Sequence, residues 1–240
     1  MKINKIILVG IASIFLLIFA GGCALFEDKN VGEGRKLYAY YCASCHGEKG
    51  MGDGFNAVNL DPQPRDLTDK KEAYMAKQKN EHLFKVISNG GKSIEKSARM
   101  PPFGNTLSEK ERWEIIAFVR TLHSYKEETI DFEKENFDDK QPKTVFKKIG
   151  SDKFKKVNRR QVLIGKSLFK KIGCAACHKI GEQGGIVGPD LTHIGSRLNG
   201  PWIFSLLKSP QRIIKNVKMP NFGLSDKNAL RLTHYLLSLK

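Results

Sequence analysis

Cys42-Ala-Ser-Cys45-His46 and Cys174-Ala-Ala-Cys177-His178 are the two stretches whose reading decides the fold. Each has a similar lead-in. Gly34 to Cys42 reads G-x-x-L-Y-x-x-x-C, and Gly165 to Cys174 reads G-x-x-L-F-x-x-x-x-C. A loop-rich middle and a Met-Pro pair follow each: Met100-Pro101-Pro102-Phe103 and Met219-Pro220-Asn221-Phe222. Each half then ends in an amphipathic stretch. In the first, Ser108 and Glu111 make a capping box, and Ile115, Phe118, Val119 and Leu122 recur on one helical face. In the second, Ser225 is the cap, and Leu232, Tyr235, Leu236 and Leu239 repeat that spacing. The same order of helix, C-x-x-C-H, loops, Met-Pro and helix occurs twice, so the chain is a diverged duplication.

A cysteine pair followed directly by histidine is the attachment signature of c-type haem. The two thiols sit close enough to add to the two vinyl groups of one porphyrin, and the histidine lies under the iron. A structural zinc site would need the two pairs at short spacing, yet 129 positions separate Cys45 from Cys174. A thioredoxin-like pair would need a βαβ context, and none is visible. Disulfides would leave the two histidines and the two Met-Pro pairs without a role. Two covalent haem c groups are therefore expected, on Cys42 and Cys45 and on Cys174 and Cys177, with His46 and His178 as iron ligands.

A thioether at a loop end is a suitable sixth ligand, being soft, neutral and long enough to reach the iron. Proline restricts the residue before it to an extended shape, which holds such a loop open. For the first haem the candidates are Met51, Met75, Met100, His82 and His123. Met51 is too near His46. Met75 lies in a Lys/Glu-rich stretch and reads as an exposed filler. His82 reads as a surface or packing residue, and His123 ends the last helix, where a cation suits the dipole. Met100 has the right context. For the second haem Met219 is preferred over His193 and His234. Trp113, Tyr38, Tyr41, Phe169 and Tyr235 read as core. Trp113 is also a minor candidate for a propionate contact, and Arg65 and Arg197 are candidates for propionate pairing or plain solvated surface.

The 240 residues are 40% apolar and 28% charged, ordinary globular usage that excludes a disordered chain and a polytopic membrane protein. Five cysteines are too few for a disulfide scaffold. Residues 1–22 read as an export signal: Lys2 and Lys5, an apolar run from Ile6 to Ala20, then Gly21-Gly22 before Cys23. That ending resembles the lipobox of bacterial lipoproteins, which implies cleavage and an acylated Cys23 heading a tether over 23–30. The competing reading is an uncleaved anchor helix, for which Ile6 to Phe26 is barely long enough. Both place the protein outside the cytoplasmic membrane or in a periplasm, attached to it.

Residues 31–126 and 161–240 are read as the two haem domains. Residues 127–160 join them as a charged linker, net −6 over Glu127 to Asp139 and net +8 over Lys140 to Arg160. It is expected to be partly mobile, with a reach of roughly 30–35 Å if flexible. Phe146, Ile149, Phe154 and Val157 are candidates for a short packed turn. The second domain carries twelve basic and three acidic residues, which suits steering toward an acidic partner. Nucleic acid is not an expected partner.

With these features the chain resembles class I c-type cytochromes, twice over, across about 31–125 and 160–240. The resemblance implies an all-α fold of two small tandem domains whose first and last helices cross. It also implies that a proline carbonyl accepts the proton of each ligating histidine: Pro189 in the second half, and Pro62 or Pro64 in the first. The first half is similar to cytochrome subunits that accompany quinol-oxidising complexes, through Met100 to Phe103, Glu111-Arg112-Trp113 and Phe118-Val119-Arg120. The expected function is electron transfer between respiratory components at a membrane face. A di-haem peroxidase or a haem-based ligand sensor is the alternative if one iron has an open position.

Overall fold

The computed structural model describes residues 27–70, 73–124, 130–143 and 149–240. The expected export signal, Cys23 and Phe146 lie outside them. Among the described residues there is no strand, only one isolated bridge between Ile180 and Gln183. No helix there is long and apolar enough to cross a membrane.

The first half begins with α1 (Lys29–Tyr41), started by Asp28, whose carboxylate accepts from the backbone N–H of Asn30 and Val31. That cap satisfies two of the donors every helix start leaves free. Helix α1 runs straight into the short α2 (Ala43–His46). Next come α3 (Asn80–Asn89) and α4 (Glu109–Arg120). The capping box is formed as its spacing predicts: Ser108 Oγ accepts from Glu111 N–H at 3.2 Å, and Glu111 Oε2 accepts from Ser108 N–H at 2.7 Å. Ile115, Phe118 and Val119 are buried as expected, whereas Leu122 lies beyond the helix end and is half-buried.

The second half repeats the plan with α5 (Arg159–Ile172), α6 (Ile194–Arg197), α7 (Gly200–Lys208), α8 (Pro210–Ile213) and α9 (Asp226–Leu237). Asn158, Asn199 and Ser225 cap α5, α7 and α9 through their side-chain oxygens. Leu232, Tyr235 and Leu236 are buried on α9, and Phe169 of α5 meets Tyr235 with ring centroids 5.6 Å apart.

In both halves the first and last helices touch backbone to backbone. A methyl group added at Gly34 would lie 1.8 Å from the carbonyl oxygen of Glu114, and one at Gly165 would lie 2.1 Å from that of Arg231. Only a residue without Cβ allows this approach, which explains the glycine at the head of each repeat.

The described parts of the linker lie against the two domains. The acidic part lies on the first half: Phe137 stacks on Trp113 at 5.3 Å, and the Asp138 carbonyl accepts from Lys110 N–H. Ile149 and Phe154 pack on the second core, with Phe154 against Phe204 and His234. Apolar side chains set at intervals in a polar run are enough to fasten it. Val157 stays exposed.

Two predictions follow from the crossing. Gly34→Ala and Gly165→Ala should each cost about 2–3 kcal/mol, read as a lower midpoint in thermal or denaturant unfolding. Glu114, beside the crossing, has its carboxyl raised above the ordinary 4.5 by burial, which the Lys110 ammonium 3.8 Å away offsets in part. The fold thus favours the neutral acid. Its contribution is complete below the unfolded value and is lost as pH rises through the folded one. Glu114→Gln should raise the melting temperature near pH 8 and leave it unchanged near pH 4.

Candidate haem sites

In the first half, a cavity of about 450 Å³ opens between α1, α2, α3, α4 and the loop before α4. Cys42, Cys45 and His46 line it from the attachment segment, Met100 from the loop, and Leu83, Val86, Ile115 and Val119 from the helices. The spacing of C-x-x-C-H on a helical turn brings both thiols and the imidazole to the same cavity. Cys42 is pushed up to about 12 by burial, and so are Cys174 and Cys177 in the second half, Cys177 with a further contribution from nearby Cys45. None of the four thiols is in a disulfide.

Each imidazole is held by its far nitrogen. His46 Nδ1 donates to the Arg65 carbonyl at 3.1 Å, and His178 Nδ1 donates to the Pro189 carbonyl at 2.9 Å. A carbonyl only accepts, so Nδ1 carries the proton and Nε2 keeps its lone pair for a metal. Burial lowers both imidazoles, keeping them in the neutral form that ligates. Pro189 plays the part the sequence suggested. In the first half neither Pro62 nor Pro64 does; the acceptor is one residue further on. The Arg65 side chain stacks on Tyr74 at 3.7 Å, and Arg197 donates to the Asp190 carbonyl.

The structure separates the rival ligands. Met51 lies on a different concavity, beside Gly52 and Asp53. Met75 is not exposed, as its Lys-rich neighbourhood implies, but 3% accessible and part of the first core, although it also borders the cavity. Two residues put it there. Asp69, in the left-handed region, accepts from the N–H groups of Tyr74, Met75 and Ala76. Arg120 donates to the carbonyls of Met75 and Gln78 and to Asn80 Oδ1. His123 lies past the end of α4, buried beside Arg120. Trp113 is sandwiched between Phe84 and Phe137. In the second half His193 is exposed and His234 is buried against Phe154. Met219 packs against the second core, and its carbonyl accepts from Gln211.

These residues fit a large, flat, mainly apolar prosthetic group held by two sulfurs and one nitrogen. The cavity has a size suited to a cofactor. On its wall His82 Nε2 is buried without a hydrogen-bond partner, which marks a place for a polar substituent of such a group.

Comparison with known proteins agrees with the duplication. Residues 29–119 match the family model described as cytochrome c oxidase, cbb3-type, subunit III, and residues 162–240 match the cytochrome c model. The first half therefore matches an oxidase subunit, where its motifs suggested a companion of quinol-oxidising complexes. No curated protein matches the chain. A chain of the Kuenenia stuttgartiensis reducing HAO-like protein complex is similar at 24% identity and a TM-score of 0.32, over 86% of this chain and 95% of that one. Two matched domains, each with its own C-x-x-C-H and a pinned imidazole, make this chain a di-haem c-type cytochrome with two tandem cytochrome c domains and two covalent haem c groups.

Proposed function

We propose that the protein is a membrane-tethered electron carrier with two closed, six-coordinate irons. Cys42 and Cys45 would hold the first haem by thioether bonds, and His46 and Met100 would ligate its iron. Cys174, Cys177, His178 and Met219 would do the same for the second. The observation that carries this reading is the convergence of Cys42, Cys45, His46 and Met100 on one cavity with apolar walls.

When bound, haem supplies one-electron chemistry at iron. The chain's residues set the conditions for it. The Arg65 and Pro189 carbonyls fix the orientation of the two imidazoles and raise their basicity. Thioether ligation raises the reduction potential. Met100 is preferred over Met75 because Met75 is committed to the core, while Met100 sits at a loop end whose carbonyl is held by Gly91 N–H. A filled sixth position leaves no place for a substrate, which favours transfer over turnover.

Acylation at Cys23 would hold the carrier at the outer face of a membrane, since more than one acyl chain anchors stably. The basic second domain suits an acidic redox partner. The likeness of the first domain to an oxidase subunit supports a terminal oxidase at one end of the route.

The ligand assignment is tested by the weak near-red band that an iron–thioether bond gives in ferric protein. Met100→Ala and Met219→Ala should each remove about half of it and lower one of the two potentials. Met75→Leu should leave the band intact. Loss of the band in Met75→Leu, with Met100→Ala unchanged, would reassign the ligand.

A further inference from the structure

The two domains meet through a buried side chain that neither ligand set uses. Asn56 is 0% exposed, in the loop that follows α2. Its N–H donates to the Ser44 carbonyl at 2.9 Å, tying it to the first attachment segment. Its side chain crosses to the second. Nδ2 donates to the Ala176 carbonyl at 2.9 Å, and Oδ1 accepts from Ile186 N–H at 2.9 Å. Nδ2 also lies 3.5 Å from Cys45 Sγ. Both donors and the acceptor of the amide are therefore engaged, which is what a fully buried amide requires.

The rest of the seam is built to match. Thr106 Oγ1 accepts from Asn221 N–H at 2.8 Å, with both residues buried. Tyr40 donates to the Asn216 carbonyl, and Lys218 lies over the Tyr40 ring. Cys177, Val187, Lys218 and Pro220 of the second domain form part of the wall of the first cavity. The first haem site is thus incomplete without the second domain. Asn56 spans the gap from Cys45 Sγ to Ala176, which is bonded directly to Cys177.

We propose that Asn56 is a positioning residue that clasps the two attachment segments edge to edge, so that the two haems share an electron within one chain. The step is a single electron transfer. One ferrous iron becomes ferric, the other ferric iron becomes ferrous, and no proton or further reactant takes part. This rests on the proposed carrier function and adds an internal relay to it.

The test uses full-length holoprotein. A brief pulse of reductant produces half-reduced molecules, and their relaxation is followed by absorbance across a tenfold dilution. An intramolecular step gives a rate unchanged by dilution, whereas a rate that falls in proportion overturns the proposal. Asn56→Asp, which puts an acceptor against the Ala176 carbonyl, and Asn56→Ala, which removes both hydrogen bonds across the seam, weaken docking of the two segments and should each slow relaxation at least about tenfold. The near-red bands of both haems should remain. A variant that keeps both bands and the original rate also overturns it. Amide hydrogen exchange gives a readout independent of electron flow. Ile186 N–H should be protected in the unmodified protein and exchange about tenfold faster in Asn56→Ala, which removes its acceptor, with α9 still protected; an Ile186 amide that exchanges freely from the start contradicts the clasp. If the variants fail to take up haem, the dilution series and the Ile186 amide of the unmodified protein decide. Absence of covalent haem from that protein would instead defeat the carrier reading itself.

Discussion

Backbone contact between the first and last helix of each domain is the constraint on which the rest depends. Where Gly34 meets Glu114 and Gly165 meets Arg231, no side chain separates the two helices. Close crossing lets Tyr38 meet Phe118 and Phe169 meet Tyr235 on one side of the contact. It also fixes where α1 and α5 end, and the C-x-x-C-H segments begin at those ends. The thiols and imidazoles are thus placed by helices anchored elsewhere, so that the attachment segments need little stability of their own. Rigid elements supporting a site from behind are what a cofactor held within a fraction of an ångström requires.

Features legible in the sequence were those encoded by local spacing. C-x-x-C-H, the Ser108–Glu111 box and the apolar stripes of α4 and α9 each depend on residues within a turn or two of one another. Features that were not legible depend on backbone acceptors or distant partners. The acceptor for His46 is a carbonyl, which any residue at position 65 would offer, so proline was no guide. Met75 is buried because Asp69 and Arg120 hold its backbone, the latter from 45 positions away. Asn56 looks like an ordinary turn residue, and its acceptor Ala176 is 120 positions distant. The linker's charge hid its apolar anchors. Phe132 and Phe137, in contact with each other and through Phe137 with Trp113, were the signal that it lies against the first domain.

Docked domains change the physical picture of the carrier. A mobile basic domain would deliver electrons by diffusion within the reach of its tether. Here the described parts of the linker pack on one domain or the other, and the seam joins the two attachment segments directly. A single body can then receive an electron at one face and release it at another, with partner choice governed by surface charge instead of domain travel. The excess of basic residues lies in the second domain, which gives the body an electrostatic direction.

Closed coordination at both irons is the central claim, and exposure of the fully reduced protein to carbon monoxide tests it most directly. The spectrum should correspond to two covalent haems per chain and, with a thioether proposed at each sixth position, should not change when the gas is added. Rapid formation of a carbon monoxide complex at either haem would show an open iron and would contradict the carrier reading in favour of an enzyme or a ligand sensor.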